Sequence, residues 1–228
     1  MLRRALVLGA TGLVGARCVE HLAENASYGS VTCLVRRPAI ASIPSLASRS
    51  KVHERIVDFS ALEPADVEPA SDVFCAIGTT MKKAGSREAF RRVDFELPLR
   101  VTELAVSVGA KRLALVSSVG ADAGSMNFYL RTKGELEDVL AKLPLGALHI
   151  LRPSLLLGER AESRPGEAIA SVLSRATRGL LVGRLRKYRP IEADQVARAM
   201  GAAMVAADPT TPRQIYEHDA IVALAARV

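Results

Sequence analysis

The 228-residue chain has no tryptophan, and its only Phe and Tyr residues are five phenylalanines and four tyrosines. So little stacking surface argues against a single-stranded nucleic-acid ligand. The formal net charge of +7 would attract polyanions. Its basic residues are dispersed, however, and no nucleic-acid-binding motif accompanies them, so no nucleic-acid partner is expected. One dense basic run exists, Arg184-Leu-Arg186-Lys187-Tyr-Arg189. It either draws an anionic substrate or forms a solvated face. Cysteine is scarce too: Cys18, Cys33 and Cys75 are odd in number, widely spaced and without a CxxC pair. That excludes a disulfide framework and a cysteine zinc site, and points to buried thiols in a reducing compartment. No apolar run approaches the roughly 18 residues that cross a bilayer. The opening MLRRALVLG is broken by Gly9 too early for a secretory signal. These absences together predict a cytoplasmic protein with no membrane span. HExxH and GxSxG are also missing, and His21, His53, His149 and His218 are scattered. No metal site is expected.

What is present is a rhythm. Short apolar runs at 4–8, 31–35, 51–57, 72–77, 112–116 and 147–151 read as strands. Helical spacing separates them, at 13–23, 88–108 and 128–142, with Pro98 a kink or break in the second. Strands alternating with helices and apolar on both faces demand an α/β fold, a parallel sheet covered on both sides. One domain over 1–228 is expected. From about 154 the rhythm changes: 158–190 is rich in Gly, Arg, Ser and Pro, and 191–206 reads as helix. The stretch 154–228 is expected to form a small substrate-side lobe.

Between the first strand and first helix lies Gly9-Ala-Thr11-Gly12-Leu13-Val14-Gly15. A pyrophosphate needs backbone N–H groups and the positive end of a helix dipole. One glycine makes the tight turn, a second admits the phosphate, and a third lets helix pack on strand. The spacing is GxxGxxG, one residue longer than GxGxxG. After the second strand, an acid would bind the ribose 2′-hydroxyl of NAD. Arg36 and Arg37 stand there instead, and suit the 2′-phosphate of NADP(H). Asp58 and Phe59, after the third strand, either meet adenine or begin a helix with Asp58 or Ser60 as its cap.

Two further groups fall where ligands bind in such sheets, at strand C-terminal ends. Ser117 and Ser118 follow the fifth strand. Tyr129 and Lys133 are four apart and share one helix face. A tyrosine of ordinary pKa, about 10, exchanges protons poorly at neutral pH. A neighbouring ammonium favours the phenolate. A serine hydroxyl can steady a carbonyl oxygen as it becomes alkoxide. These parts suit hydride transfer, with Tyr129 moving the proton. Cys75 has no base near it in sequence and reads as a buried thiol.

GATGLVG, the serines of LALVSSVGAD and YLRTK resemble the short-chain dehydrogenase/reductase superfamily, in its atypical branch. The long blocks CAIGTTMKKAGSREAFRRVD, SSVGADAGSMNFYLRTKGELE and LRPSLLLGERAESRPGE are most similar to oxidoreductases of the Tat-interacting-protein type. The resemblance implies a doubly wound Rossmann sheet of six or seven parallel strands. It implies a triad of Ser117 or Ser118 with Tyr129 and Lys133. NADP(H) would lie along the Gly9–Gly15 turn, with Arg36 and Arg37 on its 2′-phosphate. Ala76, Ile77, Gly78 and Thr79 would line its adenosine and ribose side. Pro153 and Ser154 would lie by the nicotinamide. Where the superfamily often has Asn-Ala-Gly, this chain has Ala76-Ile77-Gly78. Ser117 lies twelve residues before Tyr129 and Ser118 eleven, which favours Ser117 by spacing.

The first expectation is therefore an NADP(H)-dependent oxidoreductase acting on a small carbonyl or alcohol. The second is an NADPH-binding regulator that passes its state to a protein partner with little turnover. The loop 158–167 either folds over the nicotinamide, bringing Arg160 or Arg164 to substrate, or is a charged surface turn. Monomer and homodimer are both compatible with the sequence.

Overall fold

The computed structural model describes residues 2–40, 43, 45–46, 49–158, 181–205 and 212–227. Its seven-stranded sheet contains β1 (Arg3–Leu8), β2 (Tyr28–Val35), β3 (Val52–Ile56), β4 (Asp72–Cys75), β5 (Arg112–Val116), β6 (Ala147–Leu151) and β9 (Arg213–Tyr216). The strand order is β3-β2-β1-β4-β5-β6-β9, and every pairing is parallel. Connections run to one side after β1 and to the other after β4. This reversal opens a crevice beyond the carboxyl ends of those two strands.

Side chains alternate across the sheet, so each strand supplies two cores. On β1, Ala5 and Val7 pack with α1 (Leu13–Glu24), α6 (Ala193–Val205) and α7 (His218–Ala225). Leu6 and Leu8 pack with α4 (Leu97–Ser107) and α5 (Phe128–Leu140) on the other face. Burial on both faces explains why these strands read as continuous apolar runs.

The long helix expected over 88–108 is present, with a change of register inside it. Thr80 caps the short α2 (Met81–Ala84), and Ser86 caps α3 (Arg87–Arg91). A wide turn, Arg92–Glu96, then leads into α4, and the Leu97 N–H donates to the Arg92 carbonyl, five residues back. Pro98 explains the change. It has no N–H for the carbonyl of residue 94, so the ladder re-registers just upstream. The wide turn buries Asp94.

In the 154–228 stretch, residues 159–180 lie outside the described residues. A two-stranded pair, β7 (Leu156–Leu157) with β8 (Ile191–Glu192), holds their two flanks together. Helix α6 packs on α1, and β9 extends the main sheet. Strand β9 and helix α7 were not among the expected elements. They are short, and Ile215 of β9 is exposed, so neither carries a long apolar signature.

Candidate active site

The Gly9–Gly15 turn is built by backbone crowding. Gly9 has φ +90°, and a Cβ there would lie 2.6 Å from the Ile77 nitrogen. A Cβ on Gly15 would sit 1.9 Å from the Gly9 carbonyl oxygen, so only glycine lets α1 approach β1 this closely. The Gly12 N–H donates to the Gly9 carbonyl at 2.9 Å. Gly12 also forms the N-cap of α1. No side chain caps that end, and its first turn carries no acid. Its N–H groups and dipole therefore face outward beside exposed Thr11, a suitable place for a phosphate. Leu13 is half-buried against Gly158, and Val14 belongs to the core. Gly15→Ala is expected to lower the melting temperature and to abolish measurable dinucleotide binding, because the new Cβ meets backbone atoms of the turn that cannot swing aside. Calorimetry with a thermal melt checks both.

Arg36 and Arg37 are exposed just past β2, beside the turn, and neither has an ion-pair partner among the described residues. Asp58 is exposed as well. Its carboxylate accepts the Ser60 hydroxyl at 2.6 Å and the Ser60 N–H at 2.9 Å, which hold its pKa below the usual carboxylate range. It closes a local turn and begins no helix, which removes the helix-cap alternative. Phe59 packs partly buried against the core.

Beyond β4, the Ala76 N–H continues the ladder to the Leu8 carbonyl at 2.9 Å. Ile77 packs on the core, and Gly78 and Thr79 turn over Asp94. The Thr79 N–H donates to Asp94 Oδ2 at 2.8 Å. Lys133 Nζ lies 2.7 Å from Asp94 Oδ1, with the two side chains 6 % and 1 % exposed. A Cβ on Gly78 would come within 3.2 Å of Asp94 Oδ1, so glycine leaves room for the pair. Asp94 went unnoticed in the sequence. An Asp four residues before a proline in an otherwise helical run was the available signal.

Helix α5 places Tyr129 and Lys133. Asn127 caps it, accepting from the Leu130 N–H at 3.2 Å. The Tyr129 ring rests on Phe90, centroids 5.6 Å apart. A Cβ on Gly134 would lie 2.2 Å from the Ala123 nitrogen, so this glycine seats α5 directly on the loop after β5. That loop begins with the two serines.

They face different surroundings. Ser117 is buried and donates to Glu137 Oε1 at 2.5 Å. Glu137, fully buried, also receives Arg152 through Nε at 3.0 Å and Nη2 at 2.5 Å, and Arg213 lies 3.6 Å away. Spacing along the chain points to Ser117, and in the structure its hydroxyl is engaged by Glu137. Ser118 is half-buried, and among the described residues its hydroxyl makes only a long 3.5 Å contact to the Val119 carbonyl. Adjacent residues in extended chain point opposite ways, which separates their roles.

Pro153 accepts the Val119 N–H at 2.9 Å, and the Ser154 hydroxyl donates to the Arg189 carbonyl. The basic run is largely paired. Arg186 meets Asp219 at 3.3 Å, Lys187 meets Glu217 at 3.6 Å, and the Arg189 Nε donates to the Leu181 carbonyl. Arg160 and Arg164 lie outside the described residues. All three cysteines are free and buried, and burial raises the Cys75 pKa to about 11, unlike an activated nucleophile. Among the described residues no His, Cys, Asp and Glu cluster could hold a metal. No described helix is long and apolar enough to cross a membrane.

A parallel sheet with a glycine turn at its switch point defines an NAD(P)-binding Rossmann protein, and comparison places it further. The chain belongs to the NAD(P)H-binding family, which it matches over residues 9–204, within the atypical short-chain dehydrogenase/reductases. It is 37 % identical over 198 residues to Protein FMP52, mitochondrial, of Candida albicans, covering 84 % of this chain and 83 % of that protein. To Protein HTATIP2 of Rattus norvegicus it is 37 % identical over 170 residues, 74 % of this chain and 69 % of that one. Solved structures share the fold. MoeE5 in complex with UDP-glucuronic acid and NAD superposes with a TM-score of 0.67 at 20 % identity, over 98 % of this chain and 81 % of its own. A UDP-N-acetylglucosamine 4-epimerase from Methanobrevibacter ruminantium gives 0.71 at 12 %, over 95 % and 76 %.

One expectation is overturned here. The cytoplasmic assignment conflicts with relatives from several fungi that are named as mitochondrial proteins. It rested on the unpaired cysteines together with the lack of an apolar span and of a secretory signal, and none of these says which reducing compartment holds the protein.

Proposed function

We propose that this protein is an NADP(H)-dependent oxidoreductase that transfers hydride to or from a small carbonyl or alcohol. The observation that carries the proposal is the convergence of three parts at one end of the sheet. These are the uncapped start of α1, the Tyr129–Lys133 face of α5, and Ser118 at the end of β5.

The residues suit the cofactor. Gly9 and Gly15 let the turn and the start of α1 pack tightly on β1 and the end of β4, and the first N–H groups of α1, left without a side-chain cap, can receive the pyrophosphate. Arg36 and Arg37 would take the 2′-phosphate as charge-assisted hydrogen bonds. Ala76 to Thr79 would border the adenosine and ribose, and Pro153 and Ser154 the nicotinamide side. When bound, the dihydronicotinamide supplies the hydride. Ser118 orients the substrate carbonyl, and Tyr129 donates the proton to its oxygen. Lys133 holds positive charge beside Tyr129 and favours the phenolate left behind. Ser117 acts through Glu137 on the packing of α5 and touches no reacting atom.

Paired titrations with NADPH and NADH test the cofactor. NADPH is expected to bind more tightly, and Arg36→Ala to weaken NADPH by about 10–100-fold while leaving NADH almost unchanged. That range follows from about 1.5–3 kcal/mol for a hydrogen bond to a charged group. Equal affinities in the wild type would remove the 2′-phosphate assignment. The absence of tryptophan keeps reduced-nicotinamide fluorescence free of indole background.

A further inference from the structure

Arg36 and Arg37 stand on a stretch that has left the sheet. The Val35 carbonyl, at the end of β2, still receives the Val57 N–H at 2.9 Å. Arg36 to Pro38 then bend away as exposed chain, and Pro38 has no N–H to give. Two arginines on free backbone would sample many positions, and a phosphate binding them would have to order the chain. This bend is not free, because its far end is held from the neighbouring strand. Glu54 of β3 lies in register with Cys33, two residues before the end of β2. Its Oε2 accepts the Ala39 N–H at 3.0 Å and the Ile40 N–H at 2.7 Å. Among the described residues nothing else receives these two N–H groups. The Ile40 side chain is buried in the core that β2 shares with α1. One carboxylate therefore ties down the polar backbone where one apolar side chain anchors the same residue.

We infer that Glu54 is a positioning residue for cofactor selection: by holding Ala39 and Ile40 it fixes the bend that presents Arg36 and Arg37 to the 2′-phosphate. This role rests on the assignment of those two arginines to the 2′-phosphate. The negative charge of Glu54 offers no attraction to a phosphate, so what it contributes is an acceptor in the right place. Without it, Ala39 and Ile40 lose their only acceptor among the described residues, and the bend gains other conformations. Only the fraction that still presents the guanidiniums binds well, and the apparent affinity falls by that fraction. NADH has no 2′-phosphate, so its affinity does not depend on the bend. Glu54 is half-buried, and Glu54→Ala keeps the Cβ and removes no apolar core contact.

The test is a set of NADPH and NADH titrations of the full-length protein, wild type against Glu54→Ala and Glu54→Gln. Amide hydrogen exchange at Ala39 and Ile40, followed by NMR without cofactor, accompanies them. Glu54→Ala is expected to weaken NADPH by about tenfold, to leave NADH within about twofold, and to speed exchange at both amides. Glu54→Gln keeps an oxygen for the same two N–H groups and should recover most of the lost NADPH affinity. In a protein already carrying Arg36→Ala and Arg37→Ala, Glu54→Ala should cost no further NADPH affinity. A Glu54→Ala protein that keeps the wild-type ratio of NADPH to NADH affinity would overturn the inference, even with faster exchange. Equal losses for both cofactors would overturn it as well, since they mark general damage rather than a misplaced bend. So would a further loss in the protein that lacks both guanidiniums. Wild-type protein that binds NADPH and NADH alike is a different result: it removes the 2′-phosphate assignment itself, and the role of Glu54 falls with it.

Discussion

Replacing Tyr129 with Phe is expected to lower NADPH-dependent carbonyl turnover by about 10²–10⁴-fold, the usual contribution of a positioned acid or base. The change removes one oxygen. The ring keeps its seat on Phe90, and among the described residues no protein group is hydrogen-bonded to the hydroxyl. Stability and NADPH affinity should therefore stay close to wild type. Steady-state kinetics with any carbonyl substrate found by screening, alongside an NADPH titration, separates the two quantities. A loss in kcat with unchanged cofactor affinity assigns the proton to Tyr129. Unchanged turnover would sink the mechanism and favour an NADPH-binding regulator.

The second large effect concerns Glu137. This carboxylate is fully buried and receives Ser117, Arg152 and Arg213. It joins α5 to the loop after β5, to the end of β6 and to β9. Glu137→Ala leaves the Arg152 guanidinium without its buried partner and opens a cavity beneath α5. Breaking a buried ion pair from one side costs about 3–5 kcal/mol. For a chain of this size that is a fall in melting temperature of roughly 6–20 °C. Thermal unfolding measures it directly. Ser117→Ala should be much milder, because it removes one neutral donor and leaves both arginines paired. A Glu137→Ala protein that melts like the wild type would show that the network contributes nothing to the fold.

Much of the architecture was legible because it follows from local rules. Strands buried on both faces must be apolar throughout, and helices between them must show one apolar stripe. Alternation of the two left little choice but a covered parallel sheet. Gly9, Gly12 and Gly15 were legible for a related reason: a strand-to-helix turn that approaches other backbone this closely admits no side chain. Tyr129 and Lys133 were legible because four residues make about one helical turn. The expected edges of β3 and β4 were a residue or two too long, since apolar residues such as Ile77 continue past the last ladder bond to pack on the core.

The remainder was decided in three dimensions. Spacing along the chain cannot say which of two adjacent serines faces the crevice, because it does not contain Glu137, twenty residues on, which claims Ser117. Nor can it reveal that Lys133 is paired with Asp94, thirty-nine residues away and on another element. Proline at 98 breaks the helical ladder, the wide turn swings Asp94 inward, and only packing of α5 against that turn brings carboxylate to ammonium. The sequence by itself determined the sheet, the glycine turn between β1 and α1 and the residue types of the candidate site. The tertiary structure alone decided which charges are buried together, since ion pairing depends on distances across elements that no local pattern encodes.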